Sequence, residues 1–368
     1  MTRSRALLIP MVFCQLLFLA LVVPQAPPLW AEESRKVRDS SGNIVLIPVK
    51  VERVAPLIGA FVQITQMLTL GQSKVVAYPT GSISDYFLEV FPDLILKNPH
   101  RYDTSSVEEI ITSRAQVVFG PDGRLSDVEK RQLNAASIAV VPINGLATVR
   151  ELKESFLLIG EILGPEEKER AQAFVEYYQD SLAWPYARIK EIKESQRPRV
   201  LVLNFIGGAL GTINKFDICH EYITSAGGIN LAADYLAGSG GITQHIDPES
   251  VILWDPEIIL TYSQESQREI LSNSALQNVR AVKNKRIYTV PYGIYLWSVR
   301  SGEGALMTPW LGTVFYPQLF SDVDLEELVR DFYLRFYKHS PSDEEVVSIL
   351  AGSKNLNTRG SSQGKGAR

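Results

Sequence analysis

Four histidines (His100, His220, His245, His339) and two cysteines (Cys14, Cys219) are all the imidazole and thiol ligands this chain of 368 residues possesses. A zinc or manganese centre asks for several imidazoles with a carboxylate. Two cysteines supply neither a disulfide framework nor a Cys-rich zinc or iron–sulfur site. His220 and His245 flank a glycine-rich segment and can face one cleft, or else be ordinary solvated or core histidines. Cys219 reads as a buried small hydrophobe. No metal site is assigned. The enzyme signatures fail too. There is no Gly-x-x-x-x-Gly-Lys-Ser/Thr phosphate loop and no His-Glu-x-x-His. Gly238-Ser239-Gly240-Gly241 has the wrong spacing for a Gly-x-Ser-x-Gly elbow, and no acid pair is marked out as a catalytic dyad. Gly207-Gly208-Ala209-Leu210-Gly211 follows a strand but lacks the dinucleotide fingerprint. It is either a ligand-facing edge or a plain turn from strand to helix. The chain reads as a non-enzyme that needs no cofactor.

The elements that must position any site follow from hydrophobic patterning. With 45% hydrophobic and 21% charged residues, the chain can bury a sizeable core in two domains or one large one. Six short apolar runs, at 74–78, 116–120, 139–143, 199–205, 257–262 and 286–291, alternate with helical patterns. Their unbroken hydrophobicity suits strands buried on both faces, hence parallel sheets covered by helices. The fold class is α/β. Ser41-Gly42-Asn43 turns a hairpin between two strands within 36–48. Residues 148–163 form one helix, and Gly164-Pro165 ends it and starts a second that runs to about 194, with a kink expected at Pro185. The organisation expected is an α/β lobe at 32–147, a helical linker at 148–196 and a second α/β lobe at 197–352.

The two ends differ from the body. Arg3 and Arg5 precede an uncharged stretch over residues 6–23, and Leu29-Trp30-Ala31 offers a cleavage site before Glu32. Residues 1–31 therefore read as a cleaved export signal, the alternative being an uncleaved anchor that keeps an interaction protein at the membrane. Residues 353–368 are Gly/Ser-rich and basic and read as a disordered tail. Arg3, Arg5, Lys354, Arg359, Lys365 and Arg368 lie in these ends, which hold no acid, so the body alone is at −10. An acidic body makes nucleic acid an unsuitable partner. The expected location is the periplasm.

Several segments in order resemble the periplasmic substrate-binding proteins of the iron-chelate and cobalamin class. They include Val37-Arg38-Asp39, Glu52-Arg53-Val54-Ala55, Ser106-Val107-Glu108-Glu109-Ile110-Ile111 and Ile159-Gly160-Glu161-Ile162-Leu163-Gly164-Pro165. Ala226-Gly227-Gly228-Ile229-Asn230, Asp255-Pro256-Glu257-Ile258-Ile259, Ala281-Val282-Lys283-Asn284-Lys285-Arg286 and Phe315-Tyr316-Pro317-Gln318-Leu319-Phe320 continue the series. The resemblance implies two α/β lobes, each a mainly parallel sheet flanked by helices, bridged by one long helix. It implies a monomer that captures a metal chelate between the lobes and delivers it to an ABC permease and its ATPase.

Ligands of parallel sheets sit beyond the carboxyl ends of the strands. The ends here offer Tyr78, Asn204, Phe205, Tyr262, Tyr292 and Tyr295, aromatic enough to stack on a flat chelate. Trp297 and Arg300 follow in a segment where the family carries a cleft tryptophan. Arg300 can take an anionic group bidentately, or be a surface arginine bridging Glu303. The resemblance implies permease docking by one carboxylate per lobe. One position matches Glu249; the other is matched to Gln63, where the family has glutamate. A ferric siderophore is the expected ligand. Corrinoid, heme with Tyr78 or Tyr86 as axial ligand, and a nickel or cobalt chelate contacting His220 or His245 are the rivals. An exported enzyme on the same fold is the reading from another class, and no motif supports it.

Overall fold

The computed structural model describes residues 33–353 apart from 98, 103–105, 144–146 and 236–243. Residues 1–31, read as an export signal, the 238–241 run and residues 354–368 of the basic tail lie outside the described residues. At the start, β1 (Ser34–Arg38) and β2 (Ile44–Pro48) form the expected antiparallel hairpin, with Gly42 at φ 89° in its turn.

The first sheet is parallel. β3 (Val54–Pro56), β6 (Val117–Gly120) and β7 (Ala139–Pro142) pair in the order β3-β6-β7. β4 (Ala77–Pro79) and β5 (His100–Tyr102) pair beside them. Val54 joins the two groups, its N–H donating to Lys74 O (2.8 Å) and its O accepting from Val76 N (2.9 Å). Helices α1 (Gly59–Leu68), α2 (Asp85–Val90), α3 (Asp93–Leu96), α4 (Val107–Thr112) and α5 (Asp127–Ala135) connect these strands.

Two long helices follow, α6 (Val149–Leu163) and α7 (Pro165–Ile189), the latter a single helix with Pro185 inside it. They meet where Gly160 leaves room. A Cβ there would stand 2.7 Å from Ala171 Cβ and 2.8 Å from Glu167 O, a backbone atom that cannot swing away. Gly160→Ala is therefore expected to cost about 1–3 kcal/mol of unfolding free energy by overpacking, measurable as a lowered urea midpoint with unchanged slope.

The second half holds another parallel sheet, ordered β11-β8-β13-β14: β8 (Arg199–Val202), β11 (Ile229–Asn230), β13 (Ile258–Thr261) and β14 (Ile287–Thr289). β9 (Asn204–Ile206), β10 (Ala209–Thr212) and β12 (Gln244–His245) form an antiparallel sheet beside it. The Gly207-Gly208 pair is thus neither a strand-to-helix turn nor a phosphate loop. It is the two-residue turn of the β9–β10 hairpin, and its φ values of 58° and 84° are those such a turn demands. The helices here are α8 (Ile218–Ser225), α9 (Pro248–Trp254), α10 (Gln264–Ser272), α11 (Arg280–Lys283), α12 (Met307–Phe315), α13 (Leu325–Tyr337) and α14 (Asp343–Leu350). One hydrophobic cluster runs from Val54, Phe61 and Phe119 through Phe156 and Phe174 to Val200, Leu260 and Phe332. The two sheets are therefore tied into one core by α6, α7 and α13. A smaller cluster around Leu201, Ile259 and Ile270 backs the second sheet.

The two halves repeat a unit. Ser106 caps α4 by accepting from Glu109 N, and Asp247 caps α9 by accepting from Ser250 N. Four residues after each cap stands a fully buried aliphatic, Ile110 or Val251. Eight residues after it comes a left-handed residue, Arg114 (φ 55°) or Asp255 (φ 42°). Eleven residues after it begins a strand flanked on both sides, β6 or β13.

Candidate functional site

In the first sheet, Tyr78 near the end of β4 pairs in register with Arg101 of β5. It is 3% exposed. Burial pushes its phenol up, and the Arg101 guanidinium pulls it partly back. The side chain is held in the core.

The second sheet gathers more polar groups. Asn204 opens β9 with its side chain buried, and its Oδ1 accepts from Tyr262 N (2.7 Å) and Thr261 Oγ1 (3.1 Å). The Asn204 Nδ2 has no hydrogen-bond partner among the described residues, and the Tyr262 hydroxyl faces the Ser298 hydroxyl and the Cys219 thiol. The Tyr262 phenol is held up by burial and by the adjacent Cys219 and Asp217. Asp217 caps α8, accepting from Cys219 N (2.9 Å). Burial raises its carboxyl, opposed by that N–H and by the Arg300 guanidinium. Arg300 itself is exposed at the end of the 291–300 loop. Arg300 thus acts on Asp217, and Asp217 on Tyr262, whose N–H holds the Asn204 amide; Asn204 and Tyr262 lie just past the carboxyl ends of β8 and β13.

Several expected members sit elsewhere. Phe205 packs on the outer cluster with Leu201 and Ile259, not beside Asn204. Successive strand residues point to opposite faces, so the two cannot both line one site. Trp297 is 1% exposed, and Tyr292 and Tyr295 are half-buried against the main core. Trp297 is thus a core tryptophan, its indole N–H turned toward the Glu303 carboxyl, whose charged form it favours. Glu303 is fully buried and receives Tyr295 N and the Tyr333 hydroxyl, so it does not bridge Arg300 on the surface.

Gln63 cannot dock a partner. All ten residues of α1 are buried, and Gln63 is spent inside: its Nε2 donates to Tyr337 Oη (3.0 Å) and its Oε1 accepts from Gly302 N (3.1 Å). Glu249 does stand exposed, two residues past the cap of α9. The residue at the same place in the repeated unit is Glu108, two residues past the cap of α4 and likewise exposed. Three residues beyond each acid, on the same helical face, lies a partly exposed isoleucine, Ile111 (37%) or Ile252 (45%).

For metals, no cluster of three or more His, Cys, Asp or Glu side chains forms among the described residues. His220 lies on α8, with burial lowering its imidazole pKa and Asn230 within 3.3 Å. His245 is exposed on β12. Cys219 is fully buried, its thiol pushed up by burial first and by Asp217 next. No helix among the described residues is long and apolar enough to cross a membrane.

The family model described as periplasmic binding protein matches residues 88–292. That is more than half of the chain, and the chain belongs to this family. The molybdate-binding protein MolA of Haemophilus influenzae is 24% identical over 331 residues, covering 83% of this chain and 92% of MolA. The fold superposes on MolA bound to molybdate with a TM-score of 0.71 at 22% identity, over 84% of this chain and 99% of that one. A periplasmic solute binding protein of Veillonella parvula gives 0.71 at 23% identity, over 88% and 99%. The nickel–histidine complex of CeuE from Helicobacter pylori gives 0.66 at 18%, over 86% and 99%.

Proposed function

We propose that this protein is the solute-capturing subunit of an ABC importer, and that its solute is a compact anionic metal species, a molybdate-type oxyanion. The observation that carries the reading is the exposed Arg300 guanidinium acting on Asp217, which in turn acts on Tyr262, whose N–H holds the Asn204 amide just past β8 and β13. Amide and hydroxyl donors beside an arginine suit a tetrahedral oxyanion. A flat chelate needs an open aromatic wall, and the tryptophan and tyrosines expected to form one are largely core residues: Trp297, Tyr262 (7% exposed) and Tyr78. The likeness to a molybdate-binding relative adds weight. A ferric siderophore is the second reading, favoured by Tyr292 and Tyr295, which keep part of their rings exposed on the loop that ends at Arg300.

Presentation to the permease falls to Glu249 on one half and Glu108 on the other. The shared placement of these acids supports this, and it replaces the pairing of Glu249 with Gln63. The deciding experiment is a thermal-shift and calorimetry panel on the purified protein. It would include molybdate, tungstate, ferric siderophores, cobinamide, cobalamin, hemin and nickel–histidine. Molybdate at 100 times its dissociation constant should add about 2.7 kcal/mol of stability. A shift with a siderophore and none with either oxyanion would replace the first reading by the second.

A further inference from the structure

Glu303, between Gly302 and Gly304, is a fully buried acid that solute contact does not use. Its Oε2 accepts from Tyr295 N (2.7 Å), and its Oε1 from the Tyr333 hydroxyl (2.5 Å), which itself accepts from Ile294 N (3.2 Å). The loop lies directly on this carboxyl. A Cβ at Gly293 would come within 2.1 Å of Glu303 Oε1 and 2.0 Å of Tyr333 Oη, so only glycine fits. On the other side Gly302 N donates to Gln63, and Gln63 donates to Tyr337, one turn along α13 from Tyr333. The carboxyl and its neighbours thus fasten the 293–295 backbone to α13 of one half and α1 of the other.

Every group facing Glu303 is uncharged. Tyr333 and Tyr337 on α13, Tyr86 on α2 and Tyr292 on the loop all have their phenols pushed up by burial. Gln63 on α1 carries no charge; His339, paired with Glu345, packs on the rings of Tyr86 and Tyr333 and is the nearest group that can take a charge in this pH range. Burial holds the Glu303 carboxyl far above the usual carboxylate range, at about 8, with the Tyr333 hydroxyl and loop N–H groups pulling the other way. An apolar side chain would fill this space without the cost of burying an acid. What the acid adds is a pair of acceptors aimed at the loop.

We infer that Glu303 is a positioning residue for solute capture, its two oxygens fixing the 293–295 backbone and so the places of Tyr295 and Arg300. The inference rests on the reading of this loop as a wall of the solute site. Glu303→Gln keeps the shape but turns an amide NH2 toward a donor, releasing one arm of the clamp. Glu303→Asp keeps both acceptors.

The test is calorimetric titration with sodium molybdate of wild type, Glu303→Gln, Glu303→Asp and Arg300→Ala across pH 6 to 9, with thermal midpoints recorded alongside. Glu303→Gln is expected to bind about tenfold more weakly, with Glu303→Asp recovering part of the loss. Wild-type affinity for the anion should fall as the pH passes about 8 and a negative charge forms beside the loop. The glutamine variant has no proton to lose at 303 and should lack this fall, keeping only the dependence that Asp217 gives to both proteins. Wild-type affinity and pH profile in Glu303→Gln would overturn the role, whatever Arg300→Ala does. A loss in Glu303→Gln with none in Arg300→Ala would keep the clamp and remove Arg300 from the solute wall. If wild type itself does not bind molybdate, the oxyanion reading has failed, and the same variants are read with ferric siderophore. Should the glutamine variant not fold, Tyr333→Phe removes only the hydroxyl and reads the same clamp.

Discussion

Alanine at both Glu108 and Glu249 is expected to stop solute uptake while leaving solute affinity and thermal midpoint almost unchanged. Both carboxylates stand exposed two residues past the caps of α4 and α9, in units that agree cap for cap, in their buried aliphatic and in their left-handed exit. Such acids also sit well at a positive helix end, and that role alone is worth about 0.3–1 kcal/mol each at an exposed site. Docking asks more of them. A carboxylate desolvated against an arginine at a protein interface loses about 2 kcal/mol or more when truncated. Two such losses weaken docking by about a thousandfold. Ile111 and Ile252, one turn along on the same faces, would supply the apolar contact that excludes water around each pair. Uptake of labelled solute by cells carrying the double variant, set beside calorimetry on the purified protein, separates the two roles. Normal uptake would leave only helix capping, and Ile111 and Ile252 would then need another explanation.

All six apolar runs read from the sequence overlap strands, because a strand buried on both faces leaves a continuous hydrophobic trace. The strands that escaped were those without that trace. β3 is three residues ending in proline, and β5 is the polar stretch His100-Arg101-Tyr102. The antiparallel β9–β10–β12 sheet was hidden because its hairpin is marked only by two glycines with positive φ.

Positions were legible at strand ends: Asn204 and Tyr262 lie just past β8 and β13 as read. The site was not legible where burial decides. Polar residues on α1 suggest an outward face, yet Thr65 donates to Phe61 O, Gln66 to Ser73 Oγ and Gln63 to Tyr337, so each finds a donor bond inside. Tyr337 is 274 residues from Gln63 in sequence, a pairing no local pattern encodes. Glu303 carried a faint signal: an acid between two glycines at the mouth of the apolar Ala305-Leu306-Met307 run is poorly placed for a solvated residue. The agreement of α4 with α9 was also present in the sequence. It is visible only when the distance from helix cap to strand is counted in both halves.

The buried carboxyl at Glu303 gives the second large effect. As the pH is raised from 5 to 8, wild-type stability should fall relative to Glu303→Gln by about 3–5 kcal/mol. In the folded chain this acid keeps its proton to about 8, against 4.5 for the free side chain. Between those values the native state holds a proton that the unfolded state has released, so stability falls with pH. Each unit of separation is worth about 1.36 kcal/mol. The stabilisation relative to the ionised form is fully present below 4.5 and is lost as the pH rises through 8, where the curve levels off. Asp217 is shifted in the same direction by burial, which is why the difference from Glu303→Gln, and not the wild-type slope, carries the prediction. Denaturant unfolding of both proteins at pH 5, 6, 7, 8 and 9 measures it. Parallel curves would mean that the tyrosine hydroxyl and loop N–H groups around the carboxyl outweigh its burial. Glu303 would then be an ionised anchor through the whole range, and the fall in anion affinity above pH 8 would have to vanish with it.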